Sequence, residues 1–152
     1  MLWAVVECRE TCIALSGADL DLELEVIFLA LDRPDDIAKL LSMELTGAWC
    51  NEAREVPKAV IDGLTGRVGR YPSVMMGGCS WSGIIADTNP PDNDHWWYKL
   101  AEEVKPDGWA FFKQPGGMTA NAENRQHLPE GYYERHIAGK DPDWIKVYVD
   151  GD

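Results

Sequence analysis

Three strand-length apolar runs, two of them followed closely by a proline-led helical pattern, constrain this chain more than any other feature. Residues 22–31 alternate at their start and then become continuously apolar, as a strand entering a buried sheet does. Asp32 and Pro34 follow, and an acid with a proline suits a helix start. That helix is expected to run to about Ser42 with Ile37, Leu40 and Leu41 on its buried face. Residues 46–50 form the next strand, and residues 57–68 an amphipathic helix carrying Val60, Ile61, Leu64 and Val68 at helical spacing. Residues 81–86 are a third buried strand, ended by Asp87-Thr88-Asn89 and two prolines. Strands alternating with helices predict an α/β fold whose mostly parallel sheet is flanked by helices.

The flanks are less regular. Residues 2–6 read as a short strand, while residues 7–21 mix acids, Cys and Ser16-Gly17 and show no periodic pattern. Further on, residues 95–103 read as a helix, 109–113 as a strand and 114–124 as a mobile loop rich in Gly, Asn and Pro. Residues 132–138 read as a short helix and 144–149 as a last amphipathic turn or strand. At 152 residues the chain is expected to form one domain.

Composition narrows the function. The net charge of −12 argues against a free-standing nucleic-acid binder, because Lys and Arg neutralising phosphates supply most of that affinity. Seven Trp residues point to core and interface packing. Cys8, Cys12, Cys50 and Cys79 lack zinc-site spacing, and no basic-flanked apolar leader precedes them, so they read as reduced cytosolic thiols. No apolar run approaches the length of a membrane span.

In open α/β sheets ligands sit outside the carboxyl ends of the strands. Two groups fall at that edge. Residues 46–50 deliver Asn51 and Glu52 to the end of their strand, an arrangement in which nucleotide hydrolases hold a glutamate against the attacking water. The competing reading is a Glu capping the helix at Pro57. The Asp87-Thr88-Asn89 turn could contact a γ-phosphate through hydroxyl and amide, or be a plain strand-to-turn corner. Asp87, Asp92, Asp94 and His95 form a compact set of ligands suited to magnesium or manganese, against which stands an acidic loop with Asp94 capping the next helix. Arg54, Arg67 and Arg70 are arginine-finger candidates, reaching a neighbouring subunit's phosphate. His127 and His136 have no Ser or Cys in triad order.

Residues 31–42, 44–57, 64–72 and 83–98, including Gly47-Ala-Trp-Cys-Asn-Glu52 and Gly83-Ile-Ile-Ala-Asp-Thr-Asn89, carry a resemblance that continues through 109–115 to Tyr148. The chain resembles the large terminase subunit of tailed bacteriophages, the ATP-driven motor that packages DNA into the procapsid. The resemblance implies a P-loop NTPase fold of the RecA/ASCE type. It places Asn51-Glu52 at the Walker B position, with Glu52 the hydrolytic glutamate, and Thr88-Asn89 at the motif coupling hydrolysis to DNA movement. It implies ATP and Mg2+ as ligands, and the small terminase subunit, portal and double-stranded DNA as partners. The setting implied is the cytoplasm of a phage-infected or lysogenic bacterium.

The chain also departs from the family: residues 7–21 look shorter than, and different from, the connection expected between the first two strands, and two further departures touch the nucleotide site. Asn51 stands where an Asp would hold magnesium, and a neutral amide is a poorer ligand for a hard cation. No Gly-rich loop ending in Gly-Lys-Ser/Thr occurs in the 152 residues. The expectation is therefore a partial ATPase domain: an atypical segment over 1–21, a sheet core over 22–113, and a loop and helix over 114–152 leading toward a nuclease domain. Such a fragment is expected to bind neither ATP nor Mg2+ by itself, to have no direct hold on DNA and to involve no membrane. The alternatives are a non-catalytic acidic protein-binding module of a phage or prophage assembly, and a divalent-metal-dependent enzyme built on the Asp87 cluster.

Overall fold

The computed structural model describes the backbone of residues 4–17, 20–31 and 33–151, and the side chains from residue 25 onward apart from 32, 34 and 152. The chain divides into two compact units, Met1–Thr88 and Asn89–Asp152. The division falls inside the span 22–113 that the sequence reads as one sheet core.

The first unit is mixed α/β. Strands β1 (Ala4–Gly17) and β2 (Leu20–Leu29) pair antiparallel. Strand β3 (Gly47–Cys50) pairs antiparallel with β1 through Cys50 and Ala4, and parallel with β4 (Gly83–Ala86). The order is β2-β1-β3-β4, so the sheet holds one parallel pairing and two antiparallel ones, not the mostly parallel set expected. The cause lies in residues 7–17, which carry no periodic signal yet extend as β1. Only two residues separate β1 from β2, and so short a connection joins strands antiparallel. Of the expected strand over 2–6, residues 2 and 3 lie outside the described residues, and the rest belongs to β1.

The 3-10 turn Pro34–Asp36 leads into α1 (Ile37–Leu41). The Asp36 carboxylate accepts the Arg33 N–H at 3.0 Å and lies 2.7 Å from the Lys39 ammonium. The Lys39 hydrogen bond, and then that from the Arg33 backbone, hold the Asp36 carboxyl below its usual range. A five-residue helix buries one position: Leu40 is buried, whereas Leu41, expected beside it, is half-exposed. Pro57 stands immediately before α2 (Lys58–Thr65), whose Val60, Ile61 and Leu64 are buried. Helix α2 ends three residues sooner than expected. The Gly66 N–H closes onto Gly63 and Leu64, and Val68 forms a parallel bridge with Leu45 instead of a fourth helical contact. Leu31, Leu40, Leu45, Cys50, Ala53, Val56, Val60, Ile61 and Leu64 make the core of this unit.

The second unit contains helices and turns, and no strand among its described residues. Helix α3 (Trp96–Tyr98) continues as a π-helical turn over Lys99–Val104. The strand expected over 109–113 does not form. Trp109 and Phe111 stack at 5.9 Å and meet Trp97 edge-on at 6.4 and 6.2 Å, so these rings pack as a cluster where no partner strand exists. Residues 114–124, expected as a mobile loop, form hydrogen-bonded turns with Gly116 and Gly117 buried and the Gly117 N–H held by the Val149 carbonyl at 2.7 Å. Helix α4 (Tyr132–Ile137) agrees with the sequence. Helix α5 (Pro142–Ile145) is capped by Asp141, runs into a second π-helical turn at Lys146–Asp150, and replaces the last turn or strand. No described Trp is fully buried, and Trp96, Trp97, Trp109 and Trp144 lie in ring contacts that leave them partly exposed. Among the described residues no helix is long and apolar enough to cross a membrane.

Gly63 sits mid-helix in α2, and a Cβ there would meet only the Ile37 Cγ2 at 3.5 Å, an ordinary contact. Gly63→Ala should therefore raise stability by about 0.5–1 kcal/mol through helix propensity. Leu64→Ala, one position on and fully buried, should lower it by about 2–5 kcal/mol. Urea unfolding of the two variants checks both signs.

Candidate functional site

The carboxyl ends of β3 and β4 are held together by Asp87. Its N–H donates to the Cys50 carbonyl at 3.0 Å, and its own carbonyl accepts the Ala53 N–H at 2.9 Å. Its carboxylate accepts the Trp49 indole N–H at 2.5 Å. One residue on, the Thr88 hydroxyl accepts the Arg54 N–H at 3.2 Å. The turn leaving β3 and the corner leaving β4 are thus joined by four hydrogen bonds. Glu52 lies inside that frame, and Asn89 opens the second unit.

Glu52 has φ 52° and ψ 50°, the left-handed region that non-glycine residues rarely occupy. The turn demands it. A left-handed residue reverses the chain directly after β3, so that Ala53 drops fully into the core and starts the 3-10 turn Ala53–Glu55. The conformation costs about 1–2 kcal/mol in a residue with a side chain, and such strain gathers at functional positions. Glu52 does not cap the helix at Pro57: Pro57 itself holds the cap position of α2, while Glu52 precedes the 3-10 turn Ala53–Glu55 and its side chain makes no capping hydrogen bond.

Cys50 is 1% exposed beneath this site. Burial first, and the nearby Asp87 charge second, push its thiol up to about 11. Sequence reasoning passed over Trp49 and the indole–carboxylate bond, and read Cys50 only as one of four reduced thiols. Register was the available signal: Trp49 pairs with Ile85, which puts Asp87 two residues beyond on the same face.

The arginines separate. Arg54 lies beside Glu52 in sequence, and its Nε is 3.1 Å from Glu55. Arg67 and Arg70 attach to the opposite end of β3, where the Arg67 carbonyl accepts the Leu45 N–H and the Arg70 N–H donates to the Leu45 carbonyl. The Arg67 guanidinium donates to the Leu41 carbonyl at 2.9 Å and so ties down the end of α1.

Asp87 belongs to the first unit, whereas Asp92, Asp94 and His95 belong to the second. His95, and not Asp94, caps α3: its imidazole Nδ1 accepts the Trp97 N–H at 3.1 Å. Among the described residues no three His, Cys, Asp or Glu side chains group as a metal site. Cys50 and Cys79 are free thiols; the side chains of Cys8 and Cys12 lie outside the described residues.

Comparison with protein-family models, with curated proteins and with solved structures finds no match for the chain. Function is therefore argued from the site.

Two outcomes are expected here. Glu52→Gly and Glu52→Ala both remove the carboxylate, but only alanine keeps the left-handed penalty, so the glycine variant should be the more stable by about 1 kcal/mol in urea unfolding. The Cys50 thiol holds its proton in the folded state up to about 11, against an ordinary value of 9.0. Below pH 9 both states are protonated and the full stability is present. As pH rises from 9 toward 11 the unfolded chain releases its proton first and stability falls, by about 2–3 kcal/mol at most. Unfolding midpoints across that window should drop in the native chain and drop less in Cys50→Ala.

Proposed function

We propose that the chain is the hydrolysis half of an ATP-driven DNA-packaging motor, a segment of the ATPase domain of a phage large terminase subunit with a P-loop NTPase-type fold. The observation that carries this reading is Glu52, strained, at the carboxyl end of β3, bound through its turn to the Asp87-Thr88 corner of the parallel neighbour β4. In this role Glu52 orients a water and takes its proton. The water oxygen bonds to the γ-phosphorus while the bond to the bridging oxygen breaks, and ADP leaves with the bridging electrons. The Thr88–Arg54 bond links that turn to the corner from which the second unit begins, a route by which phosphate loss alters the chain beyond Asn89.

The residues present are a poor fit to Mg2+: Asn51 offers a neutral amide, and the Asp87 carboxylate is engaged by Trp49. No step is assigned to a metal held by this chain. The phosphate-cradling loop does not occur in the 152 residues, so the reading requires it from another segment or chain. Small terminase subunit, portal and double-stranded DNA are the partners that follow from this reading.

The test joins the chain to the genomic sequence upstream of Met1. That sequence should encode, in some frame, a loop ending in Gly-Lys-Ser/Thr. The extended protein should hydrolyse ATP with magnesium, about 10²–10⁴-fold more slowly after Glu52→Gln, while the 152-residue chain alone turns over no ATP. Upstream sequence without such a loop, or turnover indifferent to Glu52→Gln, overturns the reading.

A further inference from the structure

Three consecutive apolar side chains stand almost wholly in solvent at Val74, Met75 and Met76, which are 91%, 98% and 68% exposed. Exposed apolar residues are ordinary when scattered, but three in a row on one turn are not. The main chain of the turn holds them there. Ser73 is extended, and its carbonyl accepts the Met76 N–H at 2.8 Å and the Gly78 N–H at 3.0 Å. The Gly77 N–H donates to the Val74 carbonyl at 3.2 Å and closes the 3-10 turn Val74–Met76. Gly77 and Gly78 then leave it at φ 106° and 70°, a left-handed exit that glycine makes without strain. A Cβ at Gly77 would meet nothing within 4 Å, so that side of the turn is open too. Hydrogen bonds shape this tip, and the packing of its two methionine side chains adds little.

We propose that Met75 and Met76 form a reversible oxidation site for hydroperoxides. A methionine reacts at its thioether sulfur, and susceptibility follows access. The sulfur lone pair bonds to one oxygen of hydrogen peroxide while the O–O bond breaks, and the other oxygen leaves as water. Sulfur loses two electrons and the peroxide gains them. The product is a sulfoxide, polar where the thioether was apolar. Reversal takes a dithiol reductase, whose thiols become a disulfide while the sulfoxide oxygen leaves as water. The other described sulfurs are less open. Met118 is 42% exposed, Met43 is half-buried, and the half-buried Cys79 thiol lies 3.9 Å from the Gly69 carbonyl. Cys50 is buried and its thiol keeps its proton, so the thiolate needed for attack is scarce. Oxygen added to a packed methionine disrupts a core, whereas oxygen added to this tip changes the surface alone. The pair thus switches an apolar tip to a polar one without unfolding the first unit. The switch needs no nucleotide, so its outcome is separate from that of the ATPase reading.

The test treats the 152-residue chain with hydrogen peroxide over a time course and reads each methionine by peptide mass mapping with fragmentation. Met75 and Met76 should each gain one oxygen several-fold sooner than Met43 and Met118. In unfolding urea the rates at these positions should converge, because the difference belongs to the fold. Chains oxidised at the pair alone should keep the urea unfolding midpoint of the untreated chain. Methionine sulfoxide reductases for the two sulfoxide epimers should then return both side chains to thioethers. Oxidation of Met43 or Met118 as fast as the pair overturns the proposal, as does a rate difference that persists in urea. So does a lowered midpoint on oxidation of the pair alone, or a pair that the reductases leave oxidised.

Discussion

The parallel pairing of β3 with β4 is the constraint on which the first unit depends. Four residues pair with four, in register from Gly47 and Gly83 to Cys50 and Ala86. Strands so short gain little from their own ladder. Asp87 supplies the missing hold, because its backbone serves both the end of β3 and the turn beyond, while its carboxylate meets the Trp49 indole across the face. Glu52 takes a left-handed backbone between Cys50 and the buried Ala53, whose N–H that same frame holds. Local strain is thus sustained by hydrogen bonds and core packing around it.

Burial divides the first unit sharply. Leu40, Cys50, Val60, Ile61 and Leu64 are buried, and the water excluded around Cys50 also keeps its thiol protonated. Phe28, Trp49, Trp81 and Ile85 remain half in solvent.

The site was legible in the sequence where it depends on local order. A strand-length apolar run ending in Asn51-Glu52, and another ending in Asp87-Thr88, determine that both corners lie at one edge once the strands are parallel. Elements that depend on partners were not legible. Residues 7–17 have no period, yet extend because β2 is there to pair with them. Residues 109–113 have a strand's composition but pair with no strand among the described residues, and their rings settle on Trp97. Leu41 and Val68 fit a helical stripe, but Leu41 ends its helix half-exposed and Val68 lies beyond the end of α2.

By itself, then, the sequence determined the alternation of strand and helix through the middle of the chain, the acidic charge, the absence of a Gly-Lys-Ser/Thr loop and the residues at the strand ends. Periodicity, charge and motif are properties of neighbours along the chain. Only the tertiary structure decided that the sheet is mixed, that Arg67 and Arg70 stand at the far end of β3 from Glu52, that His95 caps α3, and that Trp49, Trp81 and Ile85 stay half in solvent. Those facts depend on which segments meet across space, where register, burial and the presence of a partner outweigh local preference.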